Sequence, residues 1–294
     1  MNKNNSGQAL LLILLVMAAI ITVGASIVSR SVTDVSISSR EVESQRAFSA
    51  AEAGVEKALL NPAPILSQNL DSSGTSFNAS VSNFAESSTS FVYPSEILNG
   101  DVAPVWFVSH DANNNDNLSC NGLPCFTGSG IRICWGKPGS NSNQSDTPAI
   151  EMSLFYSKTP GDSTTATVVR AAVDPNSSRR MSNSFSAPDN GNCTISGQDF
   201  GFQKRFNFNG LGVPPAVFTT TNGLQFARVK LLYNSVTQPV AFEVTGGQLP
   251  SQGRQIDSSG ASGQATRKVQ VFTVFPDIPP VFDSAIFTPG NITK

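Results

Sequence analysis

The chain has 294 residues, 39% of them hydrophobic, and carries 19 basic against 21 acidic side chains for a net charge of −2. It is long enough to bury a core, which excludes a disordered chain, and a near-neutral charge supplies no field to gather polyanions such as nucleic acid. Only 14% of the residues are charged, well below the usual share of about a quarter, and Ser, Thr, Asn and Gly take their place, as in secreted β-rich surface proteins.

Residues 1–7 are polar and hold Lys3, and Ala9 to Val28 then run for 20 residues without a charge. At ~1.5 Å per residue that run spans ~30 Å as a helix, the thickness of a bilayer's hydrocarbon core. Thr22 and Ser26 can return their hydroxyls to backbone carbonyls one turn earlier, so neither forbids burial in lipid. The pattern suits an ordinary membrane anchor, a secretory signal cut before Ser26, or a segment clipped ahead of its apolar run. No Pro and only Gly54 interrupt Val28 to Leu60. There Val28, Val32, Val35 and Val42, then Phe48, Ala51, Val55 and Leu59, predict one apolar face, with Arg40, Glu43 and Arg46 spaced to pair along the other. Asn61-Pro62 ends the element, because proline disfavours a helical residue before it and cannot continue the ladder. Residues 8–60 are thus expected as one helix, ~80 Å long.

Residues 61–75 read as a linker rich in Pro, Ser and Gly. Short runs with β character follow: 90–93, 105–109, 131–135, 150–157, 166–173, 200–208, 224–233, 240–245 and 268–275. Between them Pro175-Asn176-Ser177-Ser178, Asp189-Asn190-Gly191 and Ser258-Ser259-Gly260 have turn compositions. Phe218, Phe226, Tyr233, Phe242, Phe272 and Phe275 are expected in the core, since strands bury aromatics as a rule.

The cysteines, Cys120, Cys125, Cys134 and Cys193, all follow the apolar segment, and an even number beyond such a segment reads as two disulfides. Spacing leaves all three pairings open. The preferred one joins Cys120 to Cys125 around Asn121-Gly122 and Cys134 to Cys193. Zinc is disfavoured because the spacing lacks a C-x2-C knuckle and His110 is the only histidine. Asp111 to Asn117 imitates the start of a calcium loop but has Asp116 where the turn glycine belongs and Gly122 where the closing Glu belongs. His110-Asp111 has no nucleophile motif near it. No cofactor, metal or catalytic residue is therefore assigned.

A polar leader ending at Gly7, an apolar stretch beginning at Gln8-Ala9, and the run Arg46-Ala47-Phe48-Ser49-Ala50-Ala51-Glu52-Ala53-Gly54 together resemble the N-terminus of type IV prepilins, in particular minor pilins of the PilX type. The resemblance covers the first 60 residues. It implies cutting between Gly7 and Gln8 by a prepilin peptidase and methylation of the new N-terminus, although the family usually has Phe where Gln8 stands. It also implies a filament whose helices pack centrally and whose C-terminal domains form the surface. Other pilin subunits, the inner-membrane pilus assembly machinery and, before assembly, the lipid bilayer are the implied partners. Where the family carries Glu five residues after the cut, this chain has Leu12, which points to a minor or tip subunit.

The expectation is an α+β protein: leader 1–7, transmembrane and filament-core helix 8–60, linker 61–75, and a mainly antiparallel β domain 76–294 lying outside the cell. Lys3 on one flank and Arg30, Arg40 and Arg46 on the other leave the basic-residue rule undecided, so that orientation rests on the cysteines and the resemblance. The expected role is structural, with adhesion by the β domain as an addition. The alternative is a secreted or anchored β-rich surface binding protein that builds no filament.

Overall fold

A computed structural model describes residues 6–72, 74–111 and 117–277, with side chains in the first helix from residue 10 onward. Helix α1 (Ser6–Leu60) comes first. The strands follow as β1 (Ile65–Asn69), β2 (Ser76–Phe84), β3 (Ser90–Val92), β4 (Val102–Trp106), β5 (Ser109–His110), β6 (Leu118–Ser119), β7 (Gly130–Trp135) and β8 (Ala149–Ser157). Next are β9 (Ala166–Val173), helix α2 (Ser177–Asn183), β10 (Cys193–Ile195), β11 (Gln198–Phe200), β12 (Phe202–Asn207) and helix α3 (Pro215–Thr219). The last four strands are β13 (Leu224–Leu232), β14 (Val240–Thr245), β15 (Gly253–Ser262) and β16 (Ala265–Val274). The class is α+β, one long N-terminal apolar helix followed by mostly antiparallel sheet. The chain divides into two compact units, Met1–Val81 with Ile256–Val271, and Ser82–Gln255 with Phe272–Lys294.

In the first unit α1 runs 55 residues and stops at Leu60, just ahead of Asn61-Pro62. Its strands belong to a sheet of order β1-β2-β15-β16. Ala47, Ala50, Ala51, Gly54, Val55 and Ala58 recur at steps of three and four, and all are buried. On β15 the alternate residues Ile256, Ser258, Gly260 and Ser262 are buried. These two small-residue rows meet. A Cβ placed on Gly260 would fall on the Ala47 carbonyl oxygen and within 2.5 Å of the Ala51 nitrogen. A Cβ on Gly54 would collide with the Ser258 hydroxyl and lie 3.0 Å from the Phe77 ring. Helix backbone therefore lies directly on strand backbone, an approach open only to glycine and the smallest side chains. Val55, Ala58, Ala79 and Ile256 close one end of the contact in a small apolar cluster.

That contact corrects two expectations. Ser258-Ser259-Gly260, expected as a turn, lies inside β15, because at Ser258 and Gly260 the approach of α1 leaves no space for the branched or aromatic residues that mark strands. Ile65–Asn69, inside the expected linker, forms β1 and pairs antiparallel with β2. Its side chains beyond Ile65 are exposed, so it lacks the alternation that signals a half-buried strand.

The second unit contains two four-stranded sheets, of order β12-β7-β14-β3 and β4-β13-β8-β9. Ile131, Ile133, Trp135 and Phe242 from one meet Met152, Leu154, Val229 and Leu231 from the other in a single cluster. Both sheets are antiparallel throughout, with register pairs such as Phe242↔Ile133 and Val229↔Met152. The Trp135 indole N–H donates to the Pro148 carbonyl at 2.9 Å, which satisfies its one polar atom inside the core. Phe218, Phe242 and Phe275 are buried as expected, whereas Tyr233 and Phe272 reach the surface. Pro175-Asn176-Ser177-Ser178, expected as a turn, opens α2 instead. The Asn176 side chain accepts from the Ser178 and Arg179 N–H groups and so caps the helix.

Replacing Gly260 with Val should destabilise the first unit by about 1–3 kcal/mol through overpacking against the α1 backbone. Ser49→Ala, at an exposed position of the same helix, should change little. Thermal unfolding of the detergent-solubilised chain measures both, and a Gly260→Val melt equal to that of the parent would refute the close contact.

Candidate functional site

Gly7 and Gln8 lie at the start of α1, whose first described residue is Ser6. Leu12 is 65% exposed on the helix surface. Thr22 returns its hydroxyl to the Ala19 carbonyl at 2.9 Å, as expected, and Thr33 does the same to Ser29 at 2.8 Å. From residue 10 to residue 42 every side chain of α1 is exposed. The segment is long and apolar enough to cross a membrane.

Beyond a bilayer's length the apolar surface of α1 continues without cover. Val32, Val35 and Val42 are exposed along one line, and Phe48 and Leu59 are 46% and 49% exposed along another. The periodicity groups Phe48 and Leu59 with Ala51 and Val55, which are buried. Phe48 and Leu59 lie instead on a flank of the small-residue stripe, because the close approach of β15 admits nothing larger than Val55 there. Glu43 also departs from expectation. Among the described residues no ion pair joins it to Arg40 or Arg46; its carboxylate accepts from the Gln264 N–H at 3.2 Å. Arg267 on β16 donates twice to the Ser44 hydroxyl, at 2.8 and 2.6 Å. Side chains next to the stripe thus hold the turn between β15 and β16 against the helix.

Disulfides join Cys120 to Cys125 and Cys134 to Cys193. The two differ in reach. Cys134 and Cys193 are both fully buried in a cluster with Ile195, Phe200 and Ala241, so their bond fastens the β10–β11 hairpin over β7 and β14. Closing a loop with a sequence separation of 59 constrains the unfolded chain by about 4 kcal/mol in the chain-entropy picture. The five-residue separation of Cys120–Cys125 gives about 2 kcal/mol on the same basis.

His110 is sandwiched by aromatic rings: it stacks on Phe275 at 3.8 Å between centroids and meets Trp106 edge-on at 4.4 Å. In the calcium-like run, Ala112 to Asp116 fall outside the described residues. A polar cluster that composition did not announce surrounds Asp174, whose side chain is fully buried. Arg179 donates to both of its oxygens, at 2.9 and 2.7 Å, and Asn183 donates at 2.9 Å. The same guanidinium reaches the Ser145 and Thr147 carbonyls and lies 4.2 Å from the Tyr233 ring centroid. Asn176 was the available signal, an N-cap residue directly ahead of Ser177-Ser178-Arg179-Arg180.

Burial alone would raise the Asp174 carboxyl, but hydrogen bonds from Arg179, the Asn176 N–H and Asn183 outweigh it and hold the group below its ordinary 3.8. A depressed native value contributes stability that is complete above 3.8 and is lost as pH falls through the native value. No protein-family model, curated protein or solved structure matches this chain.

Asp174→Asn should lower stability at neutral pH by about 3 kcal/mol, since it leaves Arg179 without its buried counter-charge. It should also flatten the acid limb of the stability profile. Melting temperatures between pH 7 and pH 2.5 test both effects, and a variant that melts in parallel with the parent across that range would contradict this role.

Proposed function

We propose that this chain is a type IV pilin-like subunit, a structural component of an extracellular pilus or pseudopilus, held in the membrane by α1 before assembly. One observation carries the reading. α1 keeps apolar residues along its surface past the length a bilayer covers, and its own chain leaves Val32, Val35, Val42, Phe48 and Leu59 exposed. A helix with uncovered apolar flanks needs partners, and copies or relatives of the same helix supply matching ones. The resemblance of Gly7-Gln8 and of Arg46 to Gly54 to type IV prepilins names the class of partner. The small-residue run in that second motif packs against β15, so its physical task is to seat the helix on its own sheet. The flanks stay free for neighbours.

On this reading a prepilin peptidase cuts between Gly7 and Gln8, and the inner-membrane assembly machinery transfers α1 from lipid into a central helix bundle. The disulfide-bearing β unit faces outward, where it is available for adhesion. Leu12 cannot offer the carboxylate that pairs with a neighbouring subunit's charged N-terminus, an interaction that offsets the high cost of burying that charge alone. A minor or tip position, where no such pair is required, suits this subunit.

Gly7→Leu should leave the uncut precursor in the membrane, whereas the parent's mature N-terminus should be Gln8. A mature N-terminus at Ser26 would instead mark ordinary secretion, and one at Met1 a plain anchor; either would overturn the pilin reading. In sheared surface filaments this chain should be a minority component, and its being the most abundant subunit along the shaft would overturn the minor placement alone.

A further inference from the structure

The two sheets of the second unit have four edges, and three of them are blunted. On β4, Pro104 has no N–H to offer, and the Gln252 side chain accepts from the Trp106 N–H at 2.8 Å while donating to its carbonyl at 2.9 Å. On β3, the Ser88 hydroxyl serves both the N–H and the carbonyl of Ser90. On β12, Asp189 donates its N–H to the Gln203 carbonyl at 2.8 Å and accepts from the Arg205 N–H at 2.7 Å. Unpaired edges template association with other strands, so such caps are expected on an isolated subunit.

The β9 edge is different. Ser186 donates its N–H to the Ala172 carbonyl at 3.0 Å, and Asp174 donates to the Ser186 carbonyl at 2.9 Å, which caps the C-terminal end of the strand. These bonds also show that even-numbered residues of β9 turn their backbone groups away from β8. With a period of two, Val168 and Arg170 do the same, and so does the Ala166 carbonyl. Among the described residues nothing bonds to these groups, and all three residues are exposed. Their side chains also share a face. Register places Val168 beside Phe155, Phe155 beside Phe226, and Phe226 beside Trp106, a mostly apolar row across the whole sheet that ends at the open edge.

We propose that the β9 edge pairs with the same edge of a second copy of this chain, antiparallel and centred on Val168. In that register the two Val168 residues exchange both main-chain hydrogen bonds, and each Arg170 N–H reaches the other copy's Ala166 carbonyl. The charges agree. Each Arg170 lies opposite an alanine rather than the other Arg170, and keeps its own Glu151 at 3.8 Å. Two-fold pairing therefore sets no like charges face to face, and it joins the two apolar rows through adjacent valines. A short strand pair buries little area, so the contact is weak alone and gains from anything that confines two copies together. It holds whether or not α1 enters a filament.

Full-length chains carrying Val168→Cys, Thr167→Cys, or Ala166→Cys mixed with Arg170→Cys test this in membranes under mild oxidation, with the native disulfides verified by peptide mapping. Val168→Cys should give a homodimer linked at residue 168, and the mixed pair a 166–170 link. Thr167→Cys, which faces the other side of the strand, should link about tenfold less, since disulfide geometry demands adjacent, facing Cβ atoms. Equal linking at 167, no link at 168, or a link from 168 to a different protein would overturn the proposal. Gly7→Leu chains should give the same links, so failure of the filament reading is distinguishable from failure of this one.

Discussion

The contact of α1 backbone on β15 backbone is the constraint from which most else in the first unit follows. It requires a stripe of alanine and glycine on the helix and a matching row of serine and glycine on the strand, and it has both. Such a contact gains little from the hydrophobic effect per residue, because each alanine buries about one methyl, on the order of 0.8 kcal/mol. Its strength lies in close packing, and its tolerance is correspondingly small. Hydrogen bonds beside the stripe, from Gln264 to Glu43 and from Arg267 to Ser44, fix the register of strand on helix. Lys57 donates to Gln68 of β1, which ties the other end.

A second consequence is that the large apolar residues of the lower helix are displaced from the face the chain itself covers. Phe48 would be an anchor in an ordinary amphipathic helix. Here the narrow approach excludes it, and it is left on a flank with Leu59. Large exposed apolar groups in a row mark an interaction surface. In the reading proposed here the bilayer covers the upper helix before assembly, and neighbouring helices cover both parts afterwards. The two disulfides add covalent ties to the second unit: Cys120–Cys125 closes a short loop, and Cys134–Cys193 fastens the β10–β11 hairpin to β7.

Sequence reading succeeded where one kind of periodicity dominates. The extent of α1, its stop at Asn61-Pro62 and strands such as β8, β9 and β14 were legible because branched and aromatic residues alternate or run continuously there. It failed where a tertiary partner selects small residues. Ser258-Ser259-Gly260 has a turn's composition and a strand's conformation, since α1 leaves no room for larger residues at Ser258 and Gly260. The charged face of α1 was legible, but Glu43 found its partner in a turn more than 200 residues away, at Gln264. Tyr233 lies on the surface with a positive φ of 69°, under Arg179. Strand composition cannot announce that, because the ring's partner, Arg179 of α2, is distant in sequence.

The central claim is that the exposed flank of α1 is covered by neighbouring subunits, and the reactivity of a cysteine at Phe48 measures it directly. In sheared filaments a Phe48→Cys thiol should resist a water-soluble maleimide, and the same thiol should react freely once the subunits are dispersed in detergent. A thiol that is fully reactive in the intact filaments would contradict the account.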